Sequence, residues 1–420
     1  MSFLHLARHA MTDTRWLLQL CFARTGFALI NTSFAALIPI ARPAWGMSAS
    51  QAGLVQSAWH VGYIVSLIVA SQLAGRYGAK RTFLGMGYAA TLSALVLAIR
   101  ADSFASALVL HGLAGLCAGG SYVPGLTLVA ERFGVDRRGR AMGAYIAAAS
   151  LGYGLALPGT VWLSVEVGQG SIAAGLSLAA AGCLFGQVLA LRTLRETPNV
   201  RIDAASRNAF VSTAALRWLW ASRPARIVML AYAFHAWELL GLWAWLPAYL
   251  SAASLASGEP AVAGGIFAGA TLAALSHLAS TVGSLAGGSW SDRWGRHQVI
   301  LALSLSSIAC ALLFGWLYAA PLWVLLAVAM LFNLTAVGDS AIHSAALTER
   351  VPPAYLATAY SLRSLLGFGM GALSPWLFGL VLDRFADQPA LAWGSAWSLL
   401  GSVALVGPWL TWRLLRRAKP

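Results

Sequence analysis

Apolar residues in this chain come in long runs, and polar ones come in short clusters between them. Twelve runs stand out, at 16–38, 50–72, 82–100, 104–127, 140–163, 171–192, 226–250, 264–287, 298–318, 321–346, 355–381 and 390–412. A helix rises about 1.5 Å per residue, so about 20 apolar residues cross the hydrocarbon layer. Backbone in lipid must satisfy its own hydrogen bonds, which makes each run a helix. The expected fold is an all-α polytopic membrane protein with twelve transmembrane helices.

The polar intervals divide the runs. The longest, 193–225, separates six runs from six, so the chain reads as an N-terminal six-helix bundle (1–192), a cytoplasmic linker (193–225) and a C-terminal six-helix bundle (226–420). Near the linker's end, Leu216-Arg217-Trp218-Leu219-Trp220 has the mixture of Trp and Arg that settles at the headgroup level.

Composition agrees with the pattern. Only 10% of the 420 residues are charged and 59% are hydrophobic, whereas soluble proteins carry about 25% charged residues. The net charge of +14 has no hydrophilic domain on which to build a nucleic-acid surface. Its distribution sets topology instead. With twelve crossings, 23 of the 28 Lys and Arg fall on the side of the termini and 3 on the other. Basic loops stay inside, so both termini are expected in the cytoplasm, with the chain in the inner (cytoplasmic) membrane. Cys21, Cys117, Cys183 and Cys310 all lie inside apolar runs and form no CxxC pair. Neither a disulfide framework nor a zinc site is indicated. No GxxxxGK[ST], HExxH or GxSxG pattern appears, so neither an ATP site nor an enzyme is expected, and no cofactor or metal.

The two halves repeat. The turn Gly287-Gly288-Ser-Trp-Ser-Asp292-Arg293-Trp-Gly295-Arg296-His297 has a degraded copy at Ser71-Gln-Leu-Ala-Gly75-Arg76-Tyr-Gly78-Ala79-Lys80-Arg81. Arg76 and Arg293 are 217 residues apart, while Glu131-Arg132 and Glu349-Arg350 are 218 apart. Two landmarks at one offset mark a duplication, and paired six-helix repeats are a transporter architecture.

These motifs resemble the major facilitator superfamily. Gly288-x-x-x-Asp292-Arg293-x-Gly295-Arg296 is similar to the family's loop 2–3 and loop 8–9 signature. Glu131-Arg132-Phe133 through Arg138-Gly139-Arg140-Ala141 is similar to its loop 4–5. With the spans and linker, the resemblance covers nearly the whole chain. It implies two pseudo-symmetric six-helix bundles that alternate access to a small-molecule substrate, functional as a monomer in the lipid bilayer. It further implies that the signature acid caps a helix end and pairs across the bundle interface. Gly75 replaces that acid in the first copy and Ala79 replaces an Arg, which leaves Asp292, Arg293 and Arg296 as the intact latch. Arg76, Lys80 and Arg81 then serve equally well as charge facing anionic lipid. The family's drug/proton antiporters carry a span-5 motif ending in Gly-Pro. Here Leu157 precedes Pro158-Gly159, a partial match.

Charged groups in mid-membrane are costly, which makes them candidates for function. His235 and Glu238 are an i, i+3 pair in the seventh run, and with Asp339, His343 and His111 they are the candidate proton-coupling groups. Such a pair also fits a buried lock between helices. His111 stands where many family members carry a span-4 Arg. Arg363 lies in the eleventh run, next in sequence to the run of Asp339, so an Asp339–Arg363 pair is expected, either as a structural salt bridge or as a pair switched by a proton or the substrate. Arg24 has no acid within the first six runs. It and Arg363, with Asn31, Trp243 and Asn333, are the candidate substrate-binding residues, and an unpaired guanidinium suits a carboxylate. The expected activity is proton-coupled secondary transport of a small organic solute, with an organic anion such as a carboxylate as the suggested cargo. The alternative is proton-antiport efflux of drugs or other hydrophobic compounds.

Overall fold

The computed structural model describes residues 3–201, 213–258 and 262–416. Linker residues 202–212, Arg207 among them, and the basic tail residues Arg417 and Lys419 lie outside the described residues.

Twelve helices are long and apolar enough to cross a membrane: α1 (Asp13–Ala44), α2 (Ala49–Tyr77), α3 (Ala79–Arg100), α4 (Phe104–Arg132), α5 (Arg137–Val167), α6 (Ile172–Thr193), α7 (Arg223–Ala256), α8 (Val262–Trp294), α9 (Arg296–Leu317), α10 (Leu322–Thr348), α11 (Thr358–Arg384) and α12 (Pro389–Leu414). Each predicted run is one of them. Most overrun the apolar stretch, because flanking polar residues continue the same backbone bonding into the headgroup layer. In the linker, Thr213–Ala221 forms a short helix packed on α7.

The bundles meet where α2 packs on α11, α5 on α8 and α1 on α7. The termini and linker share one end, and the other is the far end. At the far end Gly53 lies against the Pro375 carbonyl. There Asp383, at the end of α11, reaches across the interface to the first turn of α2. Its Oδ1 accepts from the Ala49 N–H at 2.6 Å and its Oδ2 from the Ser50 N–H at 2.8 Å. These amides have no partner inside their own helix, and the helix dipole favours an anion beside them. Nothing in the sequence pairs this lone acid with α2.

Two spans are broken at equivalent points. In α4 a 3-10 turn, Gly119–Ser121, interrupts the helix just ahead of Pro124, which cannot donate a backbone bond. In α10 the helix stops at Gly338 and restarts at Ser340, with Asp339 at the break. Ser121 and Asp339 are 218 residues apart, the offset of the duplication. Close backbone contact supports the second break. A Cβ on Gly283 in α8 would sit 2.1 Å from the Leu334 carbonyl oxygen, with no flexible atom to yield. Gly283→Val is therefore expected to destabilise the C-terminal bundle by about 1–3 kcal/mol or more, as overpacking does. A drop of several degrees in the melting midpoint of the detergent-purified protein would show it.

The loop copies also share a backbone. Gly78 and Gly295 both adopt φ +89°, which L side chains rarely adopt. In the first copy the linker docks on this turn. Asn199 Nδ2 donates to the Tyr77 carbonyl at 2.8 Å, and Lys80 Nζ donates to the Arg195 and Thr197 carbonyls.

Candidate functional site

Each helix break presents a buried polar centre to the first span of its own bundle. In the N-terminal bundle the centre is built on Ser121. Arg24, 5% exposed on α1, donates from Nη1 to the Ser121 carbonyl at 2.7 Å and to its Oγ at 3.0 Å. Tyr145 of α5 donates to the same carbonyl at 2.5 Å. The guanidinium lies 5.0 Å from the Tyr122 ring and 5.2 Å from the Tyr145 ring, within cation–π range. Its Nε has no partner, and among the described residues no carboxylate lies within ion-pair distance of it. Asn31 is half-buried two turns further along α1.

In the C-terminal bundle the centre is built on Asp339. His235 of α7 brings Nδ1 to 3.0 Å from Asp339 Oδ1, and its Nε2 lies 2.8 Å from Ser340 Oγ. His343, one turn beyond Asp339, brings Nε2 to 3.5 Å from Oδ2. Ser304 of α9 donates to Oδ2 at 2.8 Å. Glu238, 3% exposed, accepts from Ser307 at 3.0 Å through Oε2, while its Oε1 has no partner. A cavity of about 10 Å³ lies among His235, Glu238, Ser304 and His343. That is about the space of one water molecule.

The structure corrects the expected Asp339–Arg363 salt bridge. Among the described residues no ion pair joins them. Arg363 instead donates to Ser344 Oγ at 2.5 Å and lies over the Tyr232 ring at 4.2 Å. Asp339 is taken by two histidines because the break in α10 turns it toward α7. The Arg363 arrangement mirrors that of Arg24. Each bundle holds one arginine against a serine of its broken helix and against tyrosine rings.

His111 is not part of either centre. It is fully buried, with the rings of Phe34 at 5.4 Å and Trp59 at 6.5 Å, and neither ring nitrogen has a hydrogen-bond partner. Trp243 donates to Asn333 Oδ1 at 3.2 Å, and Asn333 donates to Ser276 Oγ at 2.8 Å, which ties α7, α8 and α10 together. The Trp243 ring also meets Tyr153 of the other bundle at 5.6 Å, and Tyr63 meets Phe368 across the interface at 5.4 Å.

The signature turn sits outside these centres. Arg296 pairs with Glu349 at the end of α10 and with Asp292 at 3.2 Å, all inside the C-terminal bundle. Asp292 is 70% exposed, and a Cβ on Gly288 would meet nothing within 4 Å. Arg293 and Arg76 are exposed. In this conformation Asp292 makes no ion pair across the interface among the described residues, while Asp383 ties α11 to α2 at the far end. Ser121, Tyr145, Ser304 and Ser307 carry no signal in the sequence that marks them as site residues. The one available hint was that Ser121 and Asp339 occupy equal places in the repeat.

The profile of the Major Facilitator Superfamily matches residues 20–279. An uncharacterised MFS-type transporter from Mycobacterium tuberculosis is 27% identical over 419 residues, covering 96% of this chain and 86% of the relative. Among solved structures, a D-xylose–proton symporter superposes with a TM-score of 0.76 at 12% identity, covering 94% of this chain and 96% of its own. A point mutant of the nucleoside transporter NupG gives 0.75 at 15% identity, covering 96% and 100%. A peptide transporter, POT, in complex with sulfate gives 0.75 at 17% identity, covering 96% and 94%.

Proposed function

Because this chain belongs to the major facilitator superfamily, it carries a small solute across a membrane, and we propose that the solute is an organic anion moved by coupling to protons. The observation that supports this most is the paired helix break. Interrupted spans at corresponding places in two repeats mark where transporters bind cargo and coupling ions. Here one break holds a guanidinium without an acid, and the other holds acids and histidines.

Arg24 supplies the anion site. A buried guanidinium without a carboxylate is costly, and an anionic cargo would complete it through paired hydrogen bonds. Arg363 faces the same interface from the other bundle. The Tyr63–Phe368 and Tyr153–Trp243 ring pairs would flank an apolar body on the cargo. Glu238 carries the proton. It is buried, has an unpartnered oxygen beside a water-sized cavity, and becomes neutral when protonated, as a carrier that moves through an apolar wall must.

With the termini in the cytoplasm of a cell's inner membrane, the end tied by Asp383 faces outward. The protein then works as a monomer that rocks its bundles about the two breaks. Purified protein in liposomes is expected to accumulate labelled carboxylates when an inward proton gradient is imposed, and a protonophore abolishes this. Equal uptake of the matching neutral amides would remove the anion assignment. Indifference to the gradient would remove the coupling.

A further inference from the structure

We propose that His235, Asp339 and His343 form a binding site for a first-row transition-metal dication. This goes beyond the transport reading and does not depend on the cargo.

The geometry carries it. One donor atom from each residue lies within 4.8 Å of the others. His235 Nδ1 and Asp339 Oδ1 are 3.0 Å apart, and His343 Nε2 and Asp339 Oδ2 are 3.5 Å apart. Ligand atoms around a tetrahedral ion with bonds of 2.0–2.1 Å are spaced about 3.3–3.5 Å apart, so a set within 4.8 Å needs only small side-chain shifts to close on an ion. Neither contact has good hydrogen-bond geometry: Asp339 Oδ1 and His343 Nε2 are fully buried and lack a well-aligned hydrogen-bond partner. The three residues are 7%, 1% and 2% exposed. Unused polar atoms at that depth are costly, and an ion would satisfy them together.

The surroundings are those of a built site. A metal-bound histidine usually places its other ring nitrogen on a hydrogen-bond partner, and a ligating carboxylate is usually held by one as well. His235 Nε2 lies 2.8 Å from Ser340 Oγ, and Ser304 Oγ donates to Asp339 at 2.8 Å. The cavity beside His235 and His343 admits one water-sized group, enough for an ion or the water completing its shell. Glu238 lines the far wall of that cavity. Asp339 balances one of the two positive charges, and Glu238 balances the other in its unprotonated form.

The donor set selects the ion. Two imidazole nitrogens and one carboxylate oxygen suit Zn²⁺, Co²⁺, Ni²⁺, Mn²⁺ or Fe²⁺. Ca²⁺ and Mg²⁺ favour all-oxygen shells.

Co²⁺ is the probe, because its visible absorption reports the ligand geometry. Untagged full-length protein in detergent is expected to take up about one equivalent, with bands of a four- or five-coordinate site that Zn²⁺ quenches. The melting midpoint should rise with Zn²⁺ and stay put with Mg²⁺, since an ion that binds only the folded state stabilises it. Both signals should vanish in His343→Gln and in Asp339→Asn and persist in Glu166→Gln. Should Asp339→Asn fail to fold, His343→Gln alone decides. No saturable Co²⁺ binding at micromolar concentration would overturn the proposal, leaving the triad as an ion-paired cluster. Binding that survives in His343→Gln would also overturn it.

Discussion

Replacing Arg24 with methionine is expected to lower carboxylate uptake by about 100-fold while leaving the melting midpoint unchanged or raised. Hydrogen bonds to charged groups contribute about 1.5–3 kcal/mol each, and a paired set on a carboxylate reaches about 3 kcal/mol, or two decades in affinity. The stability half follows from the same geometry. Arg24 is buried against a backbone carbonyl, a hydroxyl and tyrosine rings, without an acid. Exchanging an uncompensated buried charge for an apolar side chain of similar length is often neutral or stabilising. A residue whose work is structural would show the reverse, with the midpoint falling and uptake tracking the folded fraction. Arg24→Lys separates charge from shape. It keeps the cation and loses the planar fork, so intermediate uptake is expected. Uptake in Arg24→Met within a factor of three of the parent would sink the anion site.

Glu238→Gln is expected to abolish accumulation against a gradient while leaving exchange intact. Gln resembles the protonated carboxyl in size and still accepts from Ser307, so the helix contacts at this point should survive. It cannot release a proton. The carrier would be fixed in its loaded form and would still swap labelled for unlabelled cargo across the bilayer. In liposomes, gradient-driven accumulation should fall to the equilibrium level, and counterflow should stay within a few-fold of the parent. Preserved accumulation would move the coupling group elsewhere. Loss of both activities with a lowered melting midpoint would make Glu238 a packing residue.

The fold was legible because lipid leaves the backbone so few options. An apolar run of sufficient length has to be a helix, and all twelve could be counted. The duplication was legible for a similar reason: Gly78 and Gly295 need the same positive φ, so the turn kept its glycine in both copies. Contacts between spans were much less so. Asp339 and Arg363 are close in sequence and of opposite charge, but the break in α10 hands Asp339 to α7 and leaves Arg363 with Ser344. Rotation of a helix about its axis decides such pairings, and an all-round apolar helix carries little record of it. Asn333 illustrates this too. A polar residue in mid-membrane reads as a cargo ligand, and here its hydrogen bonds hold three helices of one bundle together. Asp383 was invisible as a contact because its partners are backbone amides, which every residue except proline carries.

The two ends of the molecule use different chemistry, and ionic strength should tell them apart. At the far end a carboxylate accepts from two amides of a helix start, so the contact is made of short dipolar bonds. At the terminal end, the exposed Asp292–Arg296–Glu349 array is made of full charges standing in water. Mobile ions screen exposed charge pairs beyond about 8 Å at physiological salt and loosen the pairs themselves as concentration rises, while short hydrogen bonds are scarcely touched. Salt therefore acts on the pairs within the C-terminal bundle and spares the contact between bundles at the far end, which makes the stiffness of one bundle a property of the solution as well as of the protein.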